Sequence, residues 1–163
     1  MSERAGKVLG VALTREVLSA VWSSLQARHP DLPPAVFELS PSARTSGHDV
    51  NWSARPVRLI IGPAMTRRAP AEILEWLLHE AAHAMAEARS PLSPGKRKRG
   101  WHTEAFRDAA RELGLEVSHT THFGWRDTSL PPALTALGPS LIWLAAATGH
   151  LEPPAATKSA LPA

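Results

Sequence analysis

Apolar residues recur along this chain in two different periods. Val17, Leu18, Val21, Trp22 and Leu25 repeat at helical spacing, which predicts a helix from Thr14, a suitable N-cap, to about His29. His29-Pro30 should end it, because the residue before a proline is pushed out of helical geometry. Ala35 to Leu39 (AVFEL) reads as a short strand, and Val57 to Ile61, closed by Gly62-Pro63, reads as another. The stretch SPSARTSGHDVNWSARP between them is polar and turn-rich, a loop or a wide hairpin connection. From Ala69 to Arg89 the helical period returns, with Leu74, Leu77, Leu78, Ala81, Ala84, Met85 and Ala88 on one broad side. A loop, SPLSPGKRKRG, leads to a further helix from His102 to Leu113, whose His102, Ala105, Phe106, Ala109 and Leu113 share a face and which Gly114 caps. Residues 115–129 read as irregular, 130–149 as a C-terminal helix and 150–163 as a disordered tail. Short strands followed by helices predict an α+β fold with a small sheet. No internal repeat is visible. One domain over 1–149 is expected, with its core at about 14–129.

Composition narrows the chemistry. The 163 residues include no cysteine, which excludes disulfides, thiolate catalysis and cysteine-ligated zinc. The start, MSERAGKVLGVALTREV, carries Glu3, Arg4 and Lys7 and no sustained apolar stretch, so a signal peptide is not expected and a cytoplasmic location is. Leu130 to His150 is free of formal charge, but Pro131, Pro132, Pro139 and two glycines leave an apolar run of about a dozen residues, against roughly 20 for a span. No membrane partner is expected. The net charge of +3 is concentrated: Arg89, Lys96, Arg97, Lys98, Arg99 and Arg107 face the single acid Glu104 over residues 89–107.

The sharpest chemical pattern is LLHEAAHAM, residues 77–85. His79, Glu80 and His83 fall together on the side of the helix away from the apolar stripe. Histidines four apart stand one turn apart, so their ring nitrogens can converge on one zinc ion. Glu80 is rotated from that line, where its carboxylate can reach a zinc-bound water and act as general base. A catalytic zinc usually has three protein ligands and a water. His102 heads the inward face of the next helix and best supplies the third. Glu87, Glu104 and the pair His119 and His122 compete with it. Such ligands should fail below about pH 6, as protons compete with the metal.

LLHEAAHAM, then His102 in WHTEAF nineteen residues after His83, then RELGLEV, resembles the SprT-like zinc metallopeptidases, the family of the Spartan proteases. The strand VRLIIG and polar turn before the metal helix are similar too. The resemblance covers roughly residues 55–117. It implies that His79, His83 and His102 ligate Zn2+ and that Glu80 is the base. It also implies a minimal gluzincin-like zincin fold, with a small three-stranded antiparallel sheet. An extended substrate would add to Val57–Ile61 by backbone pairing. Two departures stand out. Thr103 follows the third histidine where members often have glycine, and the cysteine zinc ribbon of many members is impossible here. Spartan proteases degrade proteins crosslinked to DNA, which makes DNA-associated protein a partner class to test.

Function is therefore expected to be zinc-dependent endopeptidase activity on a protein or peptide substrate. The competing readings are a nucleic-acid-associated binding protein and an inactive zincin-like scaffold with a structural or absent metal. Lys96, Arg97, Lys98 and Arg99 would contact phosphates in a DNA-binding reading, with Trp101 as a stacking face for an unpaired base. The plain alternative is a solvated loop. The absence of tyrosine removes one common oxyanion stabiliser, leaving His119, His122, Arg126 or backbone N–H groups beside the metal.

Overall fold

A computed structural model describes residues 2–41, 50–65, 68, 70–92 and 101–130. The expected C-terminal helix and tail and the basic run Lys96–Arg99 lie outside the described residues. The elements are α1 (Ser2–Arg28), β1 (Ala35–Leu39), β2 (Val57–Ile61), α2 (Pro70–Arg89), α3 (Glu104–Glu112), β3 (Glu116–Thr120) and β4 (Gly124–Ser129). The chain is mixed α+β.

Helix α1 ends where His29-Pro30 requires, but it starts at Ser2, well before Thr14. No proline interrupts residues 2–13, and extending a nucleated helix needs no apolar stripe. Thr14 is thus interior to the helix, not its cap. Leu18, Val21, Trp22 and Leu25 are buried as the period predicts. Trp22 donates from Nε1 to the Pro33 carbonyl at 2.9 Å and meets Phe37 edge-on at 6.0 Å, tying α1 to β1.

The sheet differs from the expected three-stranded antiparallel one. β1 and β2 pair in parallel, from Ala35↔Val57 to Leu39↔Ile61, and β3 and β4 form a separate antiparallel pair. The connection over residues 40–56 is long enough for the crossover that a parallel pair demands. Val57, Leu59 and Ile61 point into the core. Arg58 points out and grips Glu38 on β1, with Nε and Nη2 donating to the two carboxylate oxygens at 3.0 and 2.6 Å. Residues 116–129, expected to be irregular, form the β3–β4 hairpin. Their many polar residues hide a strand signal because much of the hairpin faces solvent.

Helix α2 carries the core. Ile73, Leu74, Leu77, Leu78, Ala81, Ala82, Ala84 and Met85 are fully buried, each large side chain contributing about 1.5–3 kcal/mol. Burial is not confined to one stripe. Glu80 and Glu87 are also buried, and His79 and His83 are half-buried. The side of α2 that carries His79 and His83 meets α3 and β4.

Helix α3 begins two residues later than expected. Thr103 is its N-cap, accepting from the Phe106 N–H at 3.2 Å, so His102 stands just outside the helix. Its far end closes as expected: Gly114, at φ 89°, donates to the Arg111 carbonyl and Leu115 to the Ala110 carbonyl, a Schellman arrangement.

Candidate metal centre

The two α2 histidines meet His102 through backbone built far from the motif. His102 N–H donates to the Phe123 carbonyl at 2.9 Å, and the Trp125 N–H donates to the His102 carbonyl at 3.2 Å. This bridge to Gly124 clamps His102 onto the start of β4. Gly124 is required there. Its φ is +66°, and a β-carbon would come 2.3 Å from the His102 carbonyl oxygen.

So held, His102 Nε2 lies 3.1 Å from His83 Nε2 and 3.2 Å from His79 Nε2. The ligand atoms of all three lie within 4.8 Å of one another, and the group can hold a metal ion. Imidazoles bound tetrahedrally at about 2.0–2.1 Å from a zinc-sized ion stand about 3.3 Å apart. The donor set itself favours a cation: His102 Nε2 has one site, a proton or a lone pair, and cannot make good hydrogen bonds to two ring nitrogens at once. A positive ion among the three lone pairs removes that conflict.

The rings are walled in. Phe106 packs against His79, His83 and His102 at centroid distances of 4.9, 4.4 and 4.6 Å. Trp52 stacks on His83 at 4.8 Å and 18°. Burial holds the His79 pKa down at about 3, with His102 and the Arg126 charge adding to the shift. Burial thus favours the neutral ring of His79, the form whose lone pair a metal needs. Its Nδ1 sits 3.1 Å from Thr128 Oγ1.

Glu80 lies between the two α2 histidines in sequence and is buried. Burial raises its pKa well above the usual carboxylate range, against a smaller opposing influence of the Trp76 indole. Among the described residues, neither Trp76 Nε1 nor Glu80 Oε2 has a hydrogen-bond partner that satisfies normal geometry. A buried, unsatisfied carboxylate oxygen is costly in a purely structural role.

The competing ligands stand elsewhere. Ser53 Oγ donates to Glu87 Oε1 at 2.8 Å, and Glu104 is exposed beside Arg107. His119 is exposed on β3, edge-on to Trp101 at 6.2 Å and to Trp125 at 5.0 Å, and His122 packs on Phe123 in the hairpin turn. Trp101 is 37 % exposed, next to His102 in the chain. Sequence reasoning missed Trp52, Thr128 and Gly124. Trp52 is the one aromatic residue of the polar 40–56 loop, which was the available signal. Thr128 had none.

The chain matches no protein-family model, no curated protein and no solved structure. Among the described residues, no helix is long and apolar enough to cross a membrane.

Proposed function

We propose that this protein is a zinc-dependent endopeptidase of the SprT-like kind, with a minimal zincin layout. The observation that carries the reading is the convergence of the His79, His83 and His102 Nε2 atoms, on a helix where Glu80, the residue after His79, is a buried carboxylate. Zinc held by the three histidines would supply a Lewis acid and an acidified water nucleophile. Glu80 takes the proton of the attacking water on its carboxylate and returns it to the amine as the peptide C–N bond breaks. Burial raises the Glu80 pKa, which makes its carboxylate a stronger proton acceptor. Phe106 and Trp52 keep the histidine rings in place and bulk water away from them. An extended substrate would pair with β2 along the edge that, among the described residues, no strand covers.

The buried base favours this reading over a binding protein or an inactive scaffold, which have no use for one. DNA-associated protein as the substrate class rests on Trp101, exposed beside His102, and on the basic run before it. Replacing Lys96–Arg99 with serine should then flatten the salt dependence of DNA binding, by about 0.7–0.9 in log–log slope for each phosphate no longer neutralised.

The deciding experiment combines metal analysis with proteolysis of an unfolded protein. Wild type should hold about one zinc per chain and cleave. Glu80→Gln should hold the same zinc and lose about 10²–10⁴-fold in activity, because an amide cannot accept the proton. Wild-type activity in Glu80→Gln would remove the base assignment, and a chain without zinc would remove the enzyme.

A further inference from the structure

Thr128 on β4 touches the histidine cluster from behind. Its Oγ1 lies 3.1 Å from His79 Nδ1, the ring nitrogen opposite the one that approaches His102. The same hydroxyl interacts with Glu75, half-buried one helical turn before His79 on α2. A hydroxyl and an imidazole nitrogen can hydrogen-bond in either direction, so this contact alone leaves the ring tautomer undetermined. The carboxylate breaks the symmetry. It accepts the hydroxyl proton of Thr128 and so leaves Oγ1 with a lone pair toward Nδ1. His79 must then carry its proton on Nδ1 and its lone pair on Nε2. That is the nitrogen 3.2 Å from His102 Nε2.

We infer that Thr128, oriented by Glu75, is a positioning residue of the metal centre, fixing the tautomer and ring direction of His79 so that Nε2 is the binding atom. A ring nitrogen ligates a metal only through its lone pair, so the tautomer decides which atom of His79 can bind. The inference rests on the metallopeptidase reading only for the metal. The tautomer belongs to the protein alone. It also gives the β3–β4 hairpin two separate holds on the site: Gly124 places His102, and four residues later Thr128 aims His79.

Three full-length variants test it: Thr128→Val, which keeps the shape and removes the hydroxyl, Thr128→Ser, which restores it, and Glu75→Leu. Zinc affinity is read by competition with a chromophoric chelator, and the His79 tautomer by ¹⁵N NMR of the metal-free protein near pH 7. Wild type and Thr128→Ser should show the Nδ1–H form and bind zinc alike. Thr128→Val should bind zinc about 10–100-fold more weakly. Both Thr128→Val and Glu75→Leu should show mixed tautomers. Unchanged zinc affinity in Thr128→Val, or an Nε2–H ring in wild type, overturns the inference and leaves the metallopeptidase reading standing. If wild type binds no zinc, that reading falls, and the tautomers still decide the role of Thr128. If Thr128→Val does not fold, Glu75→Leu decides, and a wild-type tautomer there overturns the inference.

Discussion

Gly124 concentrates the residue-scale argument. Its left-handed φ and its closeness to the His102 carbonyl make any side chain there both strained and obstructed. Gly124→Ala should cost about 1–3 kcal/mol in a denaturant titration. It should also weaken zinc binding by displacing His102, whereas a stability loss with unchanged zinc affinity would show that the bridge does not set the third ligand. The histidines divide in the same way. His102→Ala should lose zinc, while His119→Ala and His122→Ala, at exposed positions among aromatic neighbours, should keep it in a chelator competition.

At the scale of elements, the start of α3 depends on one side chain. Thr103 is an N-cap, a position that threonine and glycine both tolerate. Thr103→Ala should therefore lower stability by about 1 kcal/mol and Thr103→Gly by only a few tenths. Equal losses in thermal melts would mean that the cap bond to Phe106 contributes little. Phe106 is the reason this end matters, because the same residue that receives the cap packs against all three histidine rings. Helix α2 faces the opposite demand. Ala81, Ala82 and Ala84 are fully buried, so their small size lets neighbouring elements close on α2.

The whole molecule is tied by Arg89 at the end of α2. It reaches Asp31 beyond α1 and Glu112 at the end of α3, the latter at 2.7 and 3.0 Å, and His29 joins Glu112 at 3.0 Å. Hydrogen bonds from Arg89 hold the pKa of Asp31 below 3.8 and that of Glu112 below 4.5. Both are depressed in the fold, so their contribution is complete above those unfolded values and is lost as pH falls through the folded ones. All three side chains are more than a third exposed or close to it, and solvent screening limits the sum. Arg89→Met should cost about 1 kcal/mol or less at neutral pH, with the difference from wild type vanishing in strong acid. A pH-independent difference would point to the packing of the arginine stem instead.

Much of the candidate site was legible because its first part is local. His79 and His83 share one turn of a single helix, and helical period alone fixes that relation. Capping is local too, and so the ends of α1, α2 and α3 at His29-Pro30, Arg89 and Gly114 followed from residue type. His102 was reached by its place on an apolar face. The direction of β1 against β2 was not legible, because alternation specifies a face and not a neighbour. Nor was the hairpin at 116–129, whose polar strands resemble a loop until they pair. The bridge at Gly124, the Thr128 contact to His79 and the Trp52 stack on His83 join residues 22 to 49 positions apart or supply strain with no periodic trace. Sequence determined which side chains can share a helical turn. Packing across those distances decided which three histidines meet, because only the folded backbone sets the separation of groups that no local period relates.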